Sequence, residues 1–507
     1  MPLFSFLRVI DMKEFLPVRL KSVHLENFKN VVNGSVTIEP SRQSYSASIL
    51  GLYGQNGSGK TALIDALHLL KLALSGQAIP AQFAGAVNVN AEYTTLTFEM
   101  DVSDPDGGMY HAVYSFRLTG TQDDSESHEK ADTETKIPIK INMATGAVVN
   151  DSDSTKALIS HEILKFSYVS DKENAKLQPL IDSARNPTKN AVFFPETKFS
   201  VLTGGNKDAV TDLLVAKKLT ASTSRSFVFS KELLSVIRKN CKEQSYITLL
   251  DSLAMFGNIG LFVISTSASG LITLNALPFI FRHEKRRSVG MLALPLNDGV
   301  SLPQEVTEML REVISSMNIV LQQLVPGMTV SLREIGTQVQ ADNQTYVRVQ
   351  LFSRKNSREI PLGYESEGIK KIISFLQLLI MAYNHPGITV AVDELDSGVF
   401  EYLLGELLQI FAENGEGQLI FTSHNLRPLE TIGREFIAFT TVNPKNRYVR
   451  MNNLKANHNL RDTYYRNILL GSVPEELYEP TNNAEIAFAF QEAGDFQYAG
   501  GGGDDGE

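Results

Sequence analysis

One glycine-rich segment constrains the fold of this chain more than any other feature of its sequence. It reads Gly54-Gln55-Asn56-Gly57-Ser58-Gly59-Lys60-Thr61 and fits the pattern G-x-x-x-x-G-K-[ST]. The apolar run 49–53 before it predicts a strand, and apolar residues at helical spacing over 61–74 predict a helix after it. A strand–loop–helix unit of this kind turns backbone N–H groups around phosphate oxygens, and the helix dipole adds to the attraction. A glycine-rich loop without a ligand is the alternative interpretation.

The same segment predicts which atoms hold the phosphates. We expect the cradle to be formed by the loop residues, namely Gly54, Asn56, Gly57, Ser58 and Gly59. The Lys60 ammonium then reaches the β- and γ-phosphates, and the Thr61 hydroxyl binds magnesium.

Two adjacent carboxylates end a second predicted strand. The β-branched run 388–392 is followed directly by Asp393 and Glu394. Ligands bind at the carboxyl ends of strands in α/β sheets, so we predict that Asp393 holds the magnesium, directly or through water. Glu394 is then the general base for the attacking water. Taken alone, such a pair is a helix cap or a surface feature about as often as it is a catalytic pair. The upstream phosphate loop favours the catalytic interpretation.

Two shorter segments complete the set of candidate phosphate-binding segments. His424 follows the apolar run 418–423, and it reaches the γ-phosphate if that strand lies beside the carboxylate strand. A histidine with a purely structural role is the alternative. Ser366-Glu367-Gly368 opens a predicted helix whose N-terminus suits a phosphate, although an ordinary helix cap has the same sequence.

These segments, in this order, resemble the ABC-type ATPases, and within them the SMC-like branch. Residues 21–30 are similar to the opening strand of that branch, 54–61 to its Walker A motif and 366–368 to a reduced ABC signature. By the same resemblance, Asp393 and Glu394 match Walker B and its catalytic glutamate, Asp396 falls in the D-loop, and His424 matches the switch histidine. The Q-loop glutamine has no match here, and Lys29 is assigned to the adenine only from its place beside the first strand.

The resemblance implies a fold, two cofactors and a dimer. The expected fold is α/β, an ABC/SMC-like P-loop ATPase head with a large inserted α+β or helical lobe. ATP, with Mg²⁺, is sandwiched between two chains, so that the signature of one chain, Ser366 with Gly368, meets the γ-phosphate held by Lys60 of the other. The expected unit is a head-to-tail dimer or a higher oligomer, which ATP closes and hydrolysis releases.

Departures from the family pattern narrow this resemblance. The single cysteine, Cys241, excludes an intrachain disulfide and a cysteine zinc site. Without a long heptad run, the chain also departs from the zinc-hook DNA-repair members. The segment after His424 is too short for the TOPRIM nuclease domain of the OLD family. The chain therefore resembles an ATPase without a nuclease of its own.

Residues 464–474 are similar to tails in compact ATPases of bacterial anti-phage defence, a group that includes the ATPases of the PARIS, Septu and abortive-infection L systems. This implies a sensor or scaffold that controls a separate toxic effector, for example a nuclease, with a phage-encoded trigger as a further partner.

Two other functions remain as alternatives. A RecF-like DNA-repair or loading ATPase needs a basic surface, for which 281–287 is the densest candidate. The 47 Lys and Arg against 57 Asp and Glu, a net charge of −10, argue weakly against a dedicated nucleic-acid binder. A transporter subunit is disfavoured by the long spacing between Lys60 and Glu394.

We predict four parts in the chain: an N-terminal ATPase lobe over 12–150, an inserted mixed lobe over 151–345, a C-terminal ATPase lobe over 346–480, and a tail over 481–507 whose end, 500–507, is disordered. The patterns further predict a hairpin of strands 93–102 and 109–118, a helix over 306–324, and strands over 328–334 and 345–353. The uncharged stretch 252–281 predicts buried strands, and 372–392 predicts a buried helix, a turn and a buried strand. With no signal peptide and no membrane partner expected, we expect the protein in the cytoplasm.

Overall fold

A computed structural model describes residues 8–9, 16–38, 47–104, 107–122, 140–141, 148–149, 155–170, 175–206, 208–265, 276–283, 288–339, 345–451, 459–470 and 475–498. Parts of four local predictions lie outside these residues: residues 266–275 of the uncharged stretch 252–281, the basic stretch 281–287 beyond residue 283, the segment 464–474 beyond residue 470, and all of 500–507.

The described residues form twenty-one strands and eleven α-helices. The strands are β1 (Arg8–Val9), β2 (Val18–Phe28), β3 (Val31–Thr37), β4 (Ser48–Tyr53), β5 (Thr94–Ser103), β6 (Met109–Gln122), β7 (Lys140–Ile141), β8 (Val148–Val149), β9 (Thr155–Val169), β10 (Gln178–Asp182), β11 (Leu261–Ile264), β12 (Ala276–His283), β13 (Ser288–Pro295), β14 (Val300–Pro303), β15 (Met328–Val339), β16 (Thr345–Lys355), β17 (Arg358–Pro361), β18 (Thr389–Val392), β19 (Gln418–Thr422), β20 (Ile437–Thr440) and β21 (Tyr448–Val449). The helices are α1 (Lys60–Leu74), α2 (Glu196–Leu202), α3 (Asp208–Ser222), α4 (Lys231–Asn240), α5 (Gln244–Met255), α6 (Gln304–Leu324), α7 (Glu367–Asn384), α8 (Glu401–Asn414), α9 (Pro428–Thr431), α10 (Leu460–Leu470) and α11 (Asn483–Tyr498).

A mostly parallel sheet carries the candidate site. Its order is β11-β18-β19-β4-β20-β21, and only β21 runs antiparallel to its neighbour. Every residue of β4, β18, β19 and β20 is buried, which is typical of parallel strands covered on both faces. The parallel pairing brings the carboxyl ends of these four strands to one edge of the sheet.

The two faces of this sheet belong to different hydrophobic cores. Leu50 and Leu52 of β4 pack into the core that contains α1 and the large antiparallel sheet. Ile49 and Tyr53, which point to the opposite face, pack into the core that contains α6, α7 and α8. This layering of helices on a mainly parallel sheet confirms the predicted α/β fold class.

A six-stranded antiparallel sheet, in the order β10-β9-β6-β5-β2-β3, packs on the α1 side. Its β5 and β6 pair from Ser103 opposite Met109, which confirms the predicted hairpin. Because β9 and β10 follow residue 150 and still join this sheet through β6, the sheet crosses the predicted boundary at 150. The division into four parts stays a prediction.

The prediction of buried strands for 252–281 is wrong in its first part. The stretch begins inside α5, continues through a π-helical turn, Phe256–Gly260, and becomes a strand only at Leu261. A buried apolar run does not distinguish helix from strand by hydrophobicity alone. Asn258 fits the helical path because its Nδ2 donates to the Ala254 carbonyl at 2.7 Å.

The other local predictions agree with the structure. α6 covers the predicted helix, β15 and β16 cover the two strands after it, and α7 with β18 forms the buried helix and strand of 372–392. Within the described part of the chain, none of the helices has the length and apolar character needed to cross a membrane.

Candidate functional site

The glycines of the phosphate loop have backbone conformations that other residues rarely adopt. Gly54, Gly57 and Gly59 have φ values of 155°, 76° and 95°. A Cβ on Gly54 would lie 1.8 Å from the Thr440 Oγ1, so this position admits no side chain. By contrast, a Cβ on Gly57 would meet nothing within 4 Å, because the exposed loop tip faces open space. The loop therefore needs glycine at position 54 and leaves Gly57 exposed close to the start of α1, where a helix N-terminus favours an anion.

Lys60 is the first residue of α1, and its side chain folds back over the loop. Its Nζ donates to the carbonyls of Gly54 at 2.8 Å and Gln55 at 3.0 Å. Burial lowers the pKa of Lys60, and the nearby carboxylates, Asp393 first among them, oppose that shift. A buried ammonium that faces these carboxylates is well placed to attract the phosphates of a nucleotide. Thr61 follows it in the first turn of α1.

The predicted acidic pair lies at the same edge of the sheet. Asp393 is only 2% exposed, and its Oδ1 accepts a hydrogen bond from the Thr422 hydroxyl at 2.6 Å. The same hydroxyl accepts from the Glu394 backbone N–H at 2.7 Å. Thr422 ends β19, the strand between β18 and β4, so this one side chain fixes the tip of the carboxylate strand.

The backbone of Glu394 is held in an unusual conformation. Its φ is 50°, in the left-handed region, which costs a non-glycine residue on the order of 1 kcal/mol or more. The Lys371 Nζ donates to the Glu394 carbonyl at 2.6 Å, and burial lowers the pKa of Lys371. Lys371 belongs to α7, so the helix that Ser366 opens also supports the residue predicted as the general base.

The predicted D-loop and switch residues contact each other. The Asp396 Oδ2 accepts hydrogen bonds from the backbone N–H groups of His424 at 3.1 Å and Asn425 at 3.0 Å. β19 pairs with β18 in parallel, as the prediction for His424 requires. The His424 side chain itself is exposed.

The predicted signature residues lie on a different surface. Ser366 caps α7, where its Oγ accepts from the Ile369 N–H at 3.4 Å. A Cβ on Gly368 would lie 2.1 Å from the Gly398 carbonyl, so glycine is required there. Ser366 and Gly368 share one surface pocket with Gly398, and no residue of the phosphate loop lines that pocket. Within one chain, the structure does not bring the signature to the phosphate loop.

Sequence reasoning missed several residues that support the loop from the other end of the chain. The Tyr448 hydroxyl donates to the Gly59 carbonyl at 2.9 Å, and the Arg447 guanidinium donates to the Asn30 carbonyl at 2.6 Å. Asn30 donates through its Nδ2 to the Gly57 carbonyl, and Thr440 contacts the Ser58 hydroxyl. No local motif marks Thr440, Arg447 or Tyr448, because their partners lie hundreds of positions away in sequence.

Lys29, the residue assigned to the adenine from its position, has another role in the described structure. Its Nζ pairs with the Asp65 carboxylate of α1. Its backbone N–H donates to the Ala86 carbonyl at 2.7 Å. Lys29 therefore ties the end of β2 to the helix that follows the phosphate loop, and the adenine contact stays a prediction.

The oxygen donors that suit Mg²⁺ are the Thr61 hydroxyl and the Asp393 carboxylate. Mg²⁺ prefers such hard oxygen ligands and completes its shell with phosphate oxygens and water. Among the described residues there is no cluster of three or more His, Cys, Asp or Glu side chains that would form a metal cage of protein ligands alone. The donor set therefore fits a metal that binds together with a nucleotide.

A glycine-rich loop between a buried strand and a helix, with two carboxylates at a nearby strand tip, defines the class of P-loop ATPases. Two family models match the chain. One, described as an AAA domain, matches residues 22–250, and the other, described as an AAA domain of the AbiEii-toxin, type IV toxin–antitoxin kind, matches residues 277–429. These matches identify the chain as an AAA-domain ATPase. No curated protein matches it.

Solved structures of SMC heads and RecF show distant similarity. An SMC head bound to the C-winged helix domain of ScpA is 11% identical, with 85% of this chain and 98% of that chain covered and a TM-score of 0.39. The SMC head domain from Thermotoga maritima is 12% identical, with 85% and 99% covered and a TM-score of 0.33. The recombination mediator RecF with ATP is 13% identical, with 86% and 100% covered and a TM-score of 0.34. At these scores the similarities add nothing to the strand order and loop geometry described above.

Proposed function

We propose that this chain hydrolyses ATP with Lys60 on the phosphates and Glu394 as the general base. The loop N–H groups and the Lys60 ammonium orient the triphosphate at the start of α1. The Glu394 carboxylate takes a proton from the attacking water, while Asp396 holds the backbone that carries His424 toward the γ-phosphate. Thr61 and Asp393 would hold Mg²⁺, which would neutralise phosphate charge.

Lys371 acts in this scheme as a positioning residue. We expect Lys371→Met to lower kcat by about 10- to 100-fold, because it removes a charged hydrogen bond worth roughly 1.5–3 kcal/mol from the backbone of Glu394. ATP affinity stays the same, since Lys371 contacts the backbone of Glu394 in this scheme and the phosphate loop is unchanged. Steady-state kinetics and nucleotide-binding titrations measure the two quantities separately.

Lys371→Arg is the conservative comparison, and we expect it to restore most of the activity because its guanidinium also donates to a carbonyl. A purely structural role predicts a lower melting temperature with kcat per folded molecule unchanged. That result, or equal losses in ATP affinity and kcat, contradicts the positioning role.

We further propose that the catalytic unit is a head-to-tail dimer. The observation that supports it is the separation of the signature from the phosphate loop within one chain. Ser366 is exposed, and large exposed aromatic side chains surround it, with 78% of Tyr364, 71% of Phe400 and 53% of Tyr402 accessible. An exposed apolar patch of this kind is typical of an interaction surface. A second chain that docks here completes both ATP sites at once.

The biological role we propose is control of a separate toxic effector in anti-phage defence. The family match over 277–429, with its toxin–antitoxin description, carries this proposal. Nucleotide binding and hydrolysis switch the dimer, and the dimer holds or releases the effector when a phage product acts on it. DNA repair or loading of the RecF kind is the competing function.

Co-purification separates these two functions. We expect the Glu394→Gln variant, expressed with its genomic neighbours and purified in ATP and magnesium, to carry a second protein in a fixed ratio, because the closed ATP state is the one that holds the effector. Native mass spectrometry measures the stoichiometry. A dimer without a protein partner that retains nucleic acid contradicts effector control and supports the DNA-loading function.

A further inference from the structure

The end of the chain concentrates negative charge to an unusual degree. From residue 475 onward the sequence has no Lys, Arg or His, and it has nine acidic residues: Glu475, Glu476, Glu479, Glu485, Glu492, Asp495, Asp504, Asp505 and Glu507. The whole chain has a net charge of −10, so almost all of its excess negative charge lies in this short segment. We call residues 475–498, the part that the structure describes, the acidic tail.

The start of the acidic tail is fixed to the ATP site. The Glu479 N–H donates to the Gln55 Oε1 at 2.9 Å, and Gln55 is a residue of the phosphate loop. The Glu476 carbonyl accepts from the Val442 N–H at 2.8 Å, and Leu477 is only 2% exposed. The tail therefore leaves the molecule directly beside the phosphate loop.

The helix of the acidic tail, α11, is exposed over the residues whose side chains the structure describes. Residues 481–493 are all exposed, including the first eleven residues of α11. Large apolar side chains on it face solvent, with 42% of Ile486, 66% of Phe488 and 76% of Phe490 accessible. A helix of this length is marginal in water when it buries no apolar face, and exposed aromatics are common anchors at protein interfaces. Both features indicate that another molecule covers α11.

We propose that the acidic tail is the docking element for a separate protein whose surface is basic and has apolar grooves. Nucleic acids and anionic lipid surfaces are excluded as occupants by like charge. A second copy of this chain offers no compensating excess of positive charge, since the chain without its end is close to neutral. A basic protein, such as one that itself binds nucleic-acid phosphates, matches both the charge and the aromatic anchors. The inference rests on the proposed function, because this partner is the effector.

The anchor at Gln55 gives the docking element a link to the nucleotide. While the side chain of Gln55 contacts Glu479, its backbone is held within the loop. The Gln55 carbonyl accepts hydrogen bonds from the Lys60 Nζ at 3.0 Å and the Ser58 Oγ at 2.5 Å. When Lys60 moves from this carbonyl to a phosphate, the residue that fixes Glu479 loses a contact. Docking through α11 therefore responds to the occupancy of the ATP site.

Three variants of the whole chain are compared with the unsubstituted chain in saturating ATP and magnesium. The ligand is the neighbour-encoded protein that co-purifies with the Glu394→Gln variant, purified separately. Phe488→Ser with Phe490→Ser removes the anchors, and we expect its Kd to rise by at least about 100-fold. Glu485→Gln with Glu492→Gln and Asp495→Asn keeps the anchors, and we expect a smaller loss with a flatter salt dependence. Val215→Ser with Leu219→Ser, on the exposed face of α3, is the matched control and leaves the Kd unchanged. ATP turnover is the same in all three.

The outcomes separate this inference from the proposed function. If the purified partner binds the Phe488→Ser, Phe490→Ser variant within twofold of wild type, the tail is not its docking element, although effector control stands. If the same variant instead loses self-association in native mass spectra, the occupant is a second copy and the inference is wrong. If no neighbour-encoded protein binds even the wild-type chain, the proposed function fails and this inference fails with it.

Discussion

Glu394→Gln is expected to lower ATP turnover by at least about 100-fold while ATP remains bound, because an amide cannot accept the proton of the attacking water. The substitution disturbs little else. The contacts that hold this residue use its backbone, with the N–H on the Thr422 hydroxyl and the carbonyl on the Lys371 ammonium. Phosphate release measures turnover, and native mass spectrometry in ATP and magnesium measures the dimer that accumulates when hydrolysis no longer opens it.

The matched control for this variant is Glu232→Gln, an exposed glutamate in the first turn of α4, which leaves turnover unchanged. Wild-type turnover in Glu394→Gln would show that another group is the base. Adding Ser366→Arg in the same background places a large side chain at the exposed end of α7, beside a pocket that the phosphate loop of the same chain does not line. We expect monomers that still bind ATP, and a persistent dimer contradicts the composite site.

The chemical groups of the site could be predicted because each one lies in a short local pattern. A glycine-rich loop, an apolar run that ends in two acids and an apolar run that ends in His424 are all readable over a few residues. Their convergence follows from the parallel pairing of β18, β19 and β4, since carboxyl ends of parallel strands meet at one edge.

The supports of the site could not be predicted in the same way. Thr422 orders both Asp393 and Glu394, yet in sequence it is one more β-branched residue of an apolar strand. Tyr448, in the two-residue strand β21, holds the phosphate loop directly, and the adjacent Arg447 holds Asn30, which in turn contacts the loop. Contacts between residues so distant in sequence depend on the register of the whole sheet, which no local pattern specifies.

The candidate site is formed by two distant parts of the chain, and both are needed for it. The phosphate loop follows β4, and the acidic pair follows β18, but the strand between them, β19, comes last in sequence. The 22–250 and 277–429 matches therefore each contain only part of the sheet edge. Neither match alone contains both the phosphate loop and the acidic pair.

Lys60→Ala is expected to weaken ATP binding by about 100-fold and to abolish measurable turnover. Its ammonium contacts two carbonyls of the loop, and one or two charge-assisted hydrogen bonds to phosphate account for a loss of this size. Binding is measured by titration with a fluorescent ATP analogue, and turnover by phosphate release.

The fold should survive this substitution, which makes the test specific. Burial lowers the pKa of Lys60, so the native structure holds this cation at a cost, and its removal leaves loop carbonyls that water reaches. We therefore expect a melting temperature close to that of Lys218→Ala, an exposed lysine on α3 that serves as the matched control. Turnover within twofold of this control would show that the nucleotide binds elsewhere. Retained ATP affinity with lost turnover would instead show that Lys60 acts only on the γ-phosphate in the transition state, because a group that stabilises the ground state must change binding as well as rate.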